Sequence, residues 1–174
     1  MENKQLQIFL NETNESLSNL NENKYGFIPS IPQIKISYSN SLKFSKMVHI
    51  TKSENAYDVF KYFWNQDKIQ LQEEMLVMLL NNDNRVLGIF HLSTGDSRAT
   101  IASVKIIAST ALLANAQGLV IAHNHPSGNC IPSEADKNMT RKLAQGLEIL
   151  DMKLLDHLII TSAGYYSLAD NGDF

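Results

Sequence analysis

The sequence predicts an α/β or α+β fold in which a mixed, largely antiparallel β-sheet is flanked by helices. Helical and strand patterns alternate along the chain, and two of the strand patterns are spaced as a β-hairpin. A third strand pattern is an uninterrupted apolar run, which is typical of a buried central strand. The composition of the 174 residues, 44% hydrophobic and 19% charged, is that of a globular protein.

Residues 1–50 are expected to be a polar, partly ordered N-terminal extension that contains one strand. Six asparagines lie within residues 1–24, where apolar periodicity is weak, and a short helix is expected at the start. Pro29 and Pro32 indicate a linker. Residues 34–38 then alternate apolar and polar side chains as a half-buried strand does. The main domain is predicted to cover residues 51–174.

The first strong patterns in the main domain are a helix and a hairpin. Ser53 can cap a helix whose apolar face consists of Ala56, Val59, Phe60 and Phe63. Residues 75–80 and 86–92 are apolar runs joined by the Asn-Asn-Asp-Asn sequence of residues 81–84, which tolerates left-handed turns. They are predicted to pair as a β-hairpin that ends at residues 93–96.

Two further helices and three further strands are predicted after the hairpin. A helix rich in Ala, Ile and Leu covers about residues 103–116, and the central strand follows at residues 119–122. The next helix begins near Ser133, and its apolar positions are Met139, Leu143, Leu147 and Leu150. Residues 158–160 and 165–168 are predicted to form the last two strands, separated by a turn.

Charge, cysteine content and apolar run lengths restrict the classes of partner. Lys and Arg total 15 against 18 Asp and Glu, so the net charge of −3 disfavours nucleic-acid binding. Cys130 is the sole cysteine and cannot form an internal disulfide, which indicates a reducing compartment. The longest apolar runs, such as residues 75–80, are far below the ~20 residues of a membrane span. We therefore expect a soluble, cytoplasmic protein without a membrane partner.

One segment carries a pattern of chemical groups. His123 and His125 follow the central strand at i and i+2, so both imidazoles face the same side of an extended chain. Asp136 stands in the first turn of the next helix, and a loop containing Pro and Gly can fold it back toward the strand. Two histidines and one carboxylate are the usual protein ligands of a catalytic zinc. We predict one Zn²⁺ per chain, although other divalent metals suit these ligands.

Ordinary structural roles explain parts of this pattern. Ser133 and Asp136 fit a capping box by themselves. Cys130 is a possible fourth ligand, but a thiolate that closed the site would make the metal structural. The remaining histidines are interpreted as surface or core residues: His49, His91 and His157. The combination of paired histidines, a turn and a helix-starting carboxylate favours a metal site over capping alone.

The spacing His123-x-His125, seven residues, then Ser133-x-x-Asp136 resembles the signature of the JAMM zinc metalloproteases, also called the JAB or MPN-plus family. The surrounding sequence is similar to the RadC branch in two places, Ala-His-Asn-His-Pro-Ser-Gly-Asn at residues 122–129 and Leu-Asp-His-Leu-Ile at residues 155–159. The resemblance spans residues 51–174 and implies a JAMM/MPN, cytidine-deaminase-like fold there. Longer RadC proteins have an N-terminal helix-hairpin-helix region, which nothing before residue 51 resembles.

The resemblance also implies roles for individual residues. Zinc would be held by His123, His125 and Asp136, and a glutamate from an earlier strand would act as general base. Aligning the hairpin puts Glu73 at that position, with the adjacent Glu74 as the alternative; only one of them can point at the metal. The Ser133 hydroxyl would donate to the developing oxyanion. The implied activity is zinc-dependent hydrolysis of peptide or isopeptide bonds in a protein or peptide substrate.

Two other functions stay open at this point. The family name RadC suggests a DNA-repair or mobile-element accessory protein that binds nucleic acid. The His-Asn-His sequence also resembles nuclease motifs, which would make the protein a metal-dependent nuclease. The nearest approach to a basic patch is Lys137, Arg141 and Lys142, and a solvated helix face explains it adequately. The sequence does not specify an oligomeric state.

Overall fold

The computed structural model describes residues 9–11, 33–35, 43–95 and 103–174. The chain divides into two units, Met1–Ser39 and Asn40–Phe174. In the first unit, β1 (Phe9–Asn11) pairs antiparallel with β2 (Gln33–Lys35). The sequence predicts one strand here and a short helix at the start of the chain. The described part of this unit has two strands, one more than predicted. Residues 1–8 and 36–38 lie outside the described residues.

The second unit begins before the predicted domain boundary at residue 50. Met47 and Ile50 are buried, and the Ile50 N–H donates to the Asn84 carbonyl over 2.9 Å. The Val86 N–H likewise donates to the Val48 carbonyl over 2.9 Å. These hydrogen bonds join the segment to the hairpin turn. They are contacts between distant residues, so the local sequence pattern did not predict them.

The second unit contains a five-stranded sheet and three α-helices in its described part. The elements after a 3₁₀ turn (Phe44–Lys46) are α1 (Ser53–Phe63), β3 (Glu74–Leu80), β4 (Val86–Thr94), α2 (Val104–Leu113), β5 (Gly118–Asn124), α3 (Glu134–Glu148), β6 (Lys153–Thr161) and β7 (Gly164–Ser167). The strand order is β4-β3-β5-β6-β7. Only the β5–β6 pair is parallel; the other three are antiparallel. This confirms the predicted mixed, largely antiparallel sheet with flanking helices, as in the JAB/MPN fold.

The sheet buries both of its faces. Alternate residues of the central strands form one core with α1, on what we call the α1 face; they include Leu76, Met78, Leu80, Val120 and Ala122, which pack with Ala56 and Phe60. The intervening residues form a second core with α2 and α3, on the α2/α3 face; they include Val77, Leu79, Leu119 and Ile121, which pack with Ile107, Leu143 and Leu147. β5 lies in the middle of the sheet, as its uninterrupted apolar sequence predicts.

The apolar face of α1 differs from the predicted one. Ser53 is the first helical residue, so it does not cap the helix, and its hydroxyl lies 3.3 Å from the hydroxyl of Ser167. Phe63 is 57% exposed, whereas Trp64 is buried. The reason is that residues 56, 60 and 64 follow one another at intervals of four and therefore share one face of the helix.

Several ends of strands and helices also differ from the predicted ones. β4 continues through Thr94, two residues into the predicted turn, because Ser93 and Thr94 still pair with β3. Leu150 lies beyond the end of α3 and is exposed, so it does not belong to the buried face of that helix. The hairpin turn is as predicted, with Asn84 in a left-handed conformation at φ 50°. Within the described residues, no helix combines the length and apolarity needed to cross a lipid bilayer.

Two phenylalanines of α1 provide a test of this packing. Replacing the fully buried Phe60 by Ala should lower the free energy of unfolding by about 3–5 kcal/mol, because it leaves a cavity in the core. Phe63→Ala removes the same side chain from an exposed position and should cost only about 0.5 kcal/mol. Urea denaturation of both variants measures the difference. Equal losses would contradict the assignment of the buried face.

Candidate metal centre

The two histidines of the motif lie where the central strand ends. His123 is in β5, opposite Met75 of β3 and next to Ile159 of β6, and its side chain is buried. His125 follows the end of the strand, and its N–H donates to the Ile160 carbonyl over 2.9 Å. The Nε2 atoms of the two histidines are 3.0 Å apart. The structure therefore brings both imidazoles to one point, as the i, i+2 spacing predicts.

Asp136 reaches the same point from the first turn of α3. Its Oδ1 is 3.3 Å from Nε2 of His123. Its Oδ2 accepts two hydrogen bonds from Ser133, one from the N–H over 2.8 Å and one from the hydroxyl over 2.6 Å. Ser133 and Asp136 thus form the capping box that the sequence allows. The capping hydrogen bonds go to Oδ2, while Oδ1 is the oxygen nearer His123, so capping is compatible with a role of Asp136 as a metal ligand.

The convergence of these groups suits a cation. Nδ1 of His125 lies 2.7 Å from the Asn129 carbonyl oxygen, which can only accept, so Nδ1 carries the proton and the neutral ring has a lone pair on Nε2. Burial lowers the pKa of His123 to about 4, so this ring is neutral at pH 7. One ligand atom each from His123, His125 and Asp136 lies within 4.8 Å of the others. Two imidazoles and a carboxylate fit a divalent metal such as zinc.

Cys130 is not among these ligand atoms. The group of ligand atoms found in the described residues comprises His123, His125 and Asp136 and does not include the thiol. This leaves a three-ligand set, in which one position of a tetrahedral metal stays open to solvent or substrate.

His157 and Thr140 were not identified as site residues from the sequence. His157 is a core residue, as one of its two interpretations predicts, but its Nε2 lies 2.7 Å from Nδ1 of His123. Its other ring nitrogen lies 2.6 Å from the hydroxyl of Thr140, which is also buried. The contact depends on the parallel pairing of β5 with β6, which sets His157 beside Ile121. No local pattern could reveal it.

Two adjacent glutamates are buried where β3 begins, Glu73 just before the strand and Glu74 as its first residue. The Glu74 carboxylate accepts a hydrogen bond of 3.0 Å from Gln72 and lies 3.9 Å from Nε2 of His91. Strand alternation with Leu76 puts Glu74 on the α1 face. The Gly95 N–H donates to the Glu73 carbonyl over 2.8 Å, which extends the hairpin by one residue.

The same alternation puts Glu73 on the α2/α3 face, together with Met75. Met75 is paired with His123, and paired residues of neighbouring strands point to the same side of a sheet. Extending the strand alternation one residue before β3 thus predicts Glu73 on the face of His123 and Glu74 on the opposite one. This geometry favours Glu73 over Glu74 as the general base.

Asn124, between the two histidines, faces the other side of the sheet and has a positional role. Its fully buried side chain accepts a hydrogen bond of 2.7 Å from the N–H of Glu74 and donates to the carbonyls of Ile69 and Gln72 over 2.7 and 2.9 Å. The central residue of the His-Asn-His motif thereby holds the segment that ends in Glu73 against the strand that carries the histidines.

The burial of two histidines predicts a pH dependence of stability for the metal-free protein. Burial lowers the pKa of His123 to about 4 and that of His157 well below 6.5. As the pH falls below about 6.5, the unfolded chain binds protons that the folded chain does not. The free energy of unfolding should therefore fall between about pH 6.5 and pH 4, as measured by urea denaturation in chelator. His123→Asn should make the dependence shallower; equal stability at pH 7 and pH 5 would contradict the prediction.

Comparison with known proteins agrees with this geometry. The RadC-like JAB domain family matches residues 50–173. A UPF0758 protein of Flavobacterium johnsoniae is 42% identical over 129 residues, which are 74% of this chain and 55% of the relative. A UPF0758 protein of Thermotoga maritima is 31% identical over 165 residues, 90% of this chain and 73% of the relative.

A third relative, the UPF0758 protein YfjY of Escherichia coli, is 37% identical over 101 residues, which are 58% of this chain and 63% of YfjY. The chain spans about half the length of the Flavobacterium relative. The names of these relatives state no activity. The match nevertheless covers most of the chain and every residue of the metal centre, which confirms the resemblance inferred from the motif. The chain belongs to the RadC-like JAB domain family.

Proposed function

We propose that the protein is a zinc-dependent hydrolase of peptide or isopeptide bonds. The observation that carries this proposal is the convergence of ligand atoms from His123, His125 and Asp136 at the end of the central strand. Three protein ligands with an open position are typical of catalytic rather than structural zinc. Membership of a JAB domain family supports hydrolysis as the reaction class.

The residues of the site divide the chemistry between them. His123, His125 and Asp136 would hold the ion, which supplies Lewis acidity toward water and toward a substrate carbonyl. Glu73, on the same face of the sheet, would accept the proton of the attacking water and return it to the leaving amine.

Ser133 is proposed as the donor to the developing oxyanion, a role worth about 2.7–4 kcal/mol for one well-placed group. Its hydroxyl donates to Asp136 Oδ2 in this structure, and the residue is exposed at the start of α3. Stabilising an oxyanion requires the hydroxyl to exchange this hydrogen bond for one to the substrate. The capping N–H of Ser133 can continue to hold Asp136 during that exchange.

The substrate and cellular location are part of the same proposal. A protein or peptide substrate follows from the proposed reaction, and a reducing cytoplasm agrees with the single cysteine. Of the basic residues noted on α3, Lys137 forms an ion pair of 2.6 Å with Asp173, which reduces the charge available to a nucleic acid. Cleavage of DNA by the zinc-loaded protein, or tight salt-sensitive DNA binding, would favour the nuclease or accessory role instead.

Zinc content tests the ligand set. The purified protein should hold one zinc per chain by elemental analysis, and Asp136→Asn should weaken zinc binding by more than about 100-fold because a charged ligand is lost. Asp173→Asn is a matched control, since its side chain has the same 17% exposure but lies outside the ligand group. Wild-type protein that binds no zinc, or equal affinities of the two variants, would exclude this metal centre.

Two neighbouring substitutions test the general base. Glu73→Gln should lower hydrolysis of a fluorogenic peptide library by at least about 100-fold while zinc content stays at one per chain, because the amide cannot accept the proton. Glu74→Gln makes the same change on the opposite face of the sheet and should retain most activity. The reverse result would assign the role to Glu74. Activity in both variants would exclude a glutamate base at this position.

A further inference from the structure

We propose that His157 and Thr140 are positioning residues that fix the tautomer of His123, so that its Nε2 faces the metal ligands without a proton. The inference rests on the proposed metal centre and adds two residues from outside the family signature to it. It follows from the direction of three hydrogen bonds that connect Asp136, Thr140, His157 and His123, which we call the α3–β6–β5 chain.

The direction of this chain is set at its α3 end. The main-chain carbonyl of Asp136 can only accept, and the Thr140 hydroxyl lies 2.6 Å from it, so the single hydroxyl proton is donated there. Thr140 can make this contact because it stands one helical turn after Asp136. Nδ1 of His157 lies 2.6 Å from the same hydroxyl oxygen. Since the hydroxyl proton is already used, Nδ1 must carry a hydrogen and donate it.

The direction then passes through His157 to His123. His157 is fully buried, and burial disfavours the charged imidazolium, so the ring carries one proton, on Nδ1. Its Nε2 is therefore an acceptor. Nδ1 of His123, 2.7 Å away, must be the donor. A neutral His123 with its proton on Nδ1 has its lone pair on Nε2, which is the atom 3.3 Å from Asp136 Oδ1.

The opposite direction leaves a conflict at Thr140. A proton on Nε2 of His157 would turn the Nδ1 lone pair toward the lone pairs of Thr140 at 2.6 Å. It would also put the His123 proton on Nε2, where Nε2 of His125 and Oδ1 of Asp136, 3.0 and 3.3 Å away, could accept it, so the proton would occupy the atom proposed to bind the metal. The α3–β6–β5 chain of hydrogen bonds begins at the backbone of Asp136 and ends at the side chain of His123, both of them proposed ligands. It therefore links the position of α3 to which ring nitrogen of His123, in β5, carries the proton.

Nitrogen-15 NMR of the metal-free wild-type protein tests the tautomers directly. We expect His123 and His157 both to carry the proton on Nδ1 at pH 7.5. A proton on Nε2 of His123 would overturn the inference. This measurement needs neither zinc nor substrate, so its result is independent of whether the protein is a peptidase.

Zinc affinity of three variants tests the consequence for metal binding. Thr140→Val keeps the shape of the side chain but removes the hydroxyl, and it should weaken zinc binding about 10–100-fold, as loss of an outer hydrogen-bond partner does. Thr140→Ser should restore wild-type affinity to within about threefold, because it restores the hydroxyl. Thr110→Val is the matched control, since the Thr110 hydroxyl also donates to a carbonyl four residues earlier, in α2, over 2.9 Å.

The outcomes separate the two proposals. Weaker zinc binding in Thr140→Val together with a proton on Nε2 of His123 supports the positioning role, because a merely structural defect would not move the tautomer. Unchanged affinity and tautomer in this variant would overturn it. If Thr140→Val does not fold, the tautomers of His123 and His157 in the wild-type protein accept or reject the inference. If wild-type protein binds no zinc, the proposed function fails, while the tautomer measurement still accepts or rejects the hydrogen-bond direction.

Discussion

The alternation of side chains at the end of β5 is the constraint on which the site depends. His123 faces the α2/α3 side of the sheet, where its ligand nitrogen meets His125 and Asp136. Asn124 faces the α1 side and holds the backbone that leads to Glu74. One short segment of strand thus organises both the proposed metal ligands and the proposed base, because consecutive residues point in opposite directions.

Asp136 shows how a structural and a chemical role share one side chain. Its Oδ2 is held by Ser133 in the capping box, which fixes the carboxylate relative to the helix. That fixation leaves Oδ1 directed at His123. A ligand held by the start of a helix loses little further freedom when a metal binds, which favours binding. The capping box is therefore compatible with the proposed metal centre rather than an alternative to it.

Three buried polar side chains under the candidate site are connected to one another. His123, His157 and Thr140 form a continuous series of contacts under the site, and each of them is buried. Such a network is favourable only when every member has a partner, because an unpaired polar group in a low-dielectric interior is costly. The ring nitrogens that do not face the ligand group are satisfied by His157 and by the Asn129 carbonyl, which leaves the others available to a metal.

The sequence by itself determined the mixed sheet, the hairpin, the central strand and the three residues of the candidate metal group, because periodicity and motif spacing are local properties of a chain. Only the tertiary structure gives the pairing of Met75 with His123, on which the proposed choice between the two glutamates depends. The same is true of His157, which reaches His123 only because β6 runs parallel to β5. Register and packing join residues that are distant along the chain, and no local pattern encodes those distances.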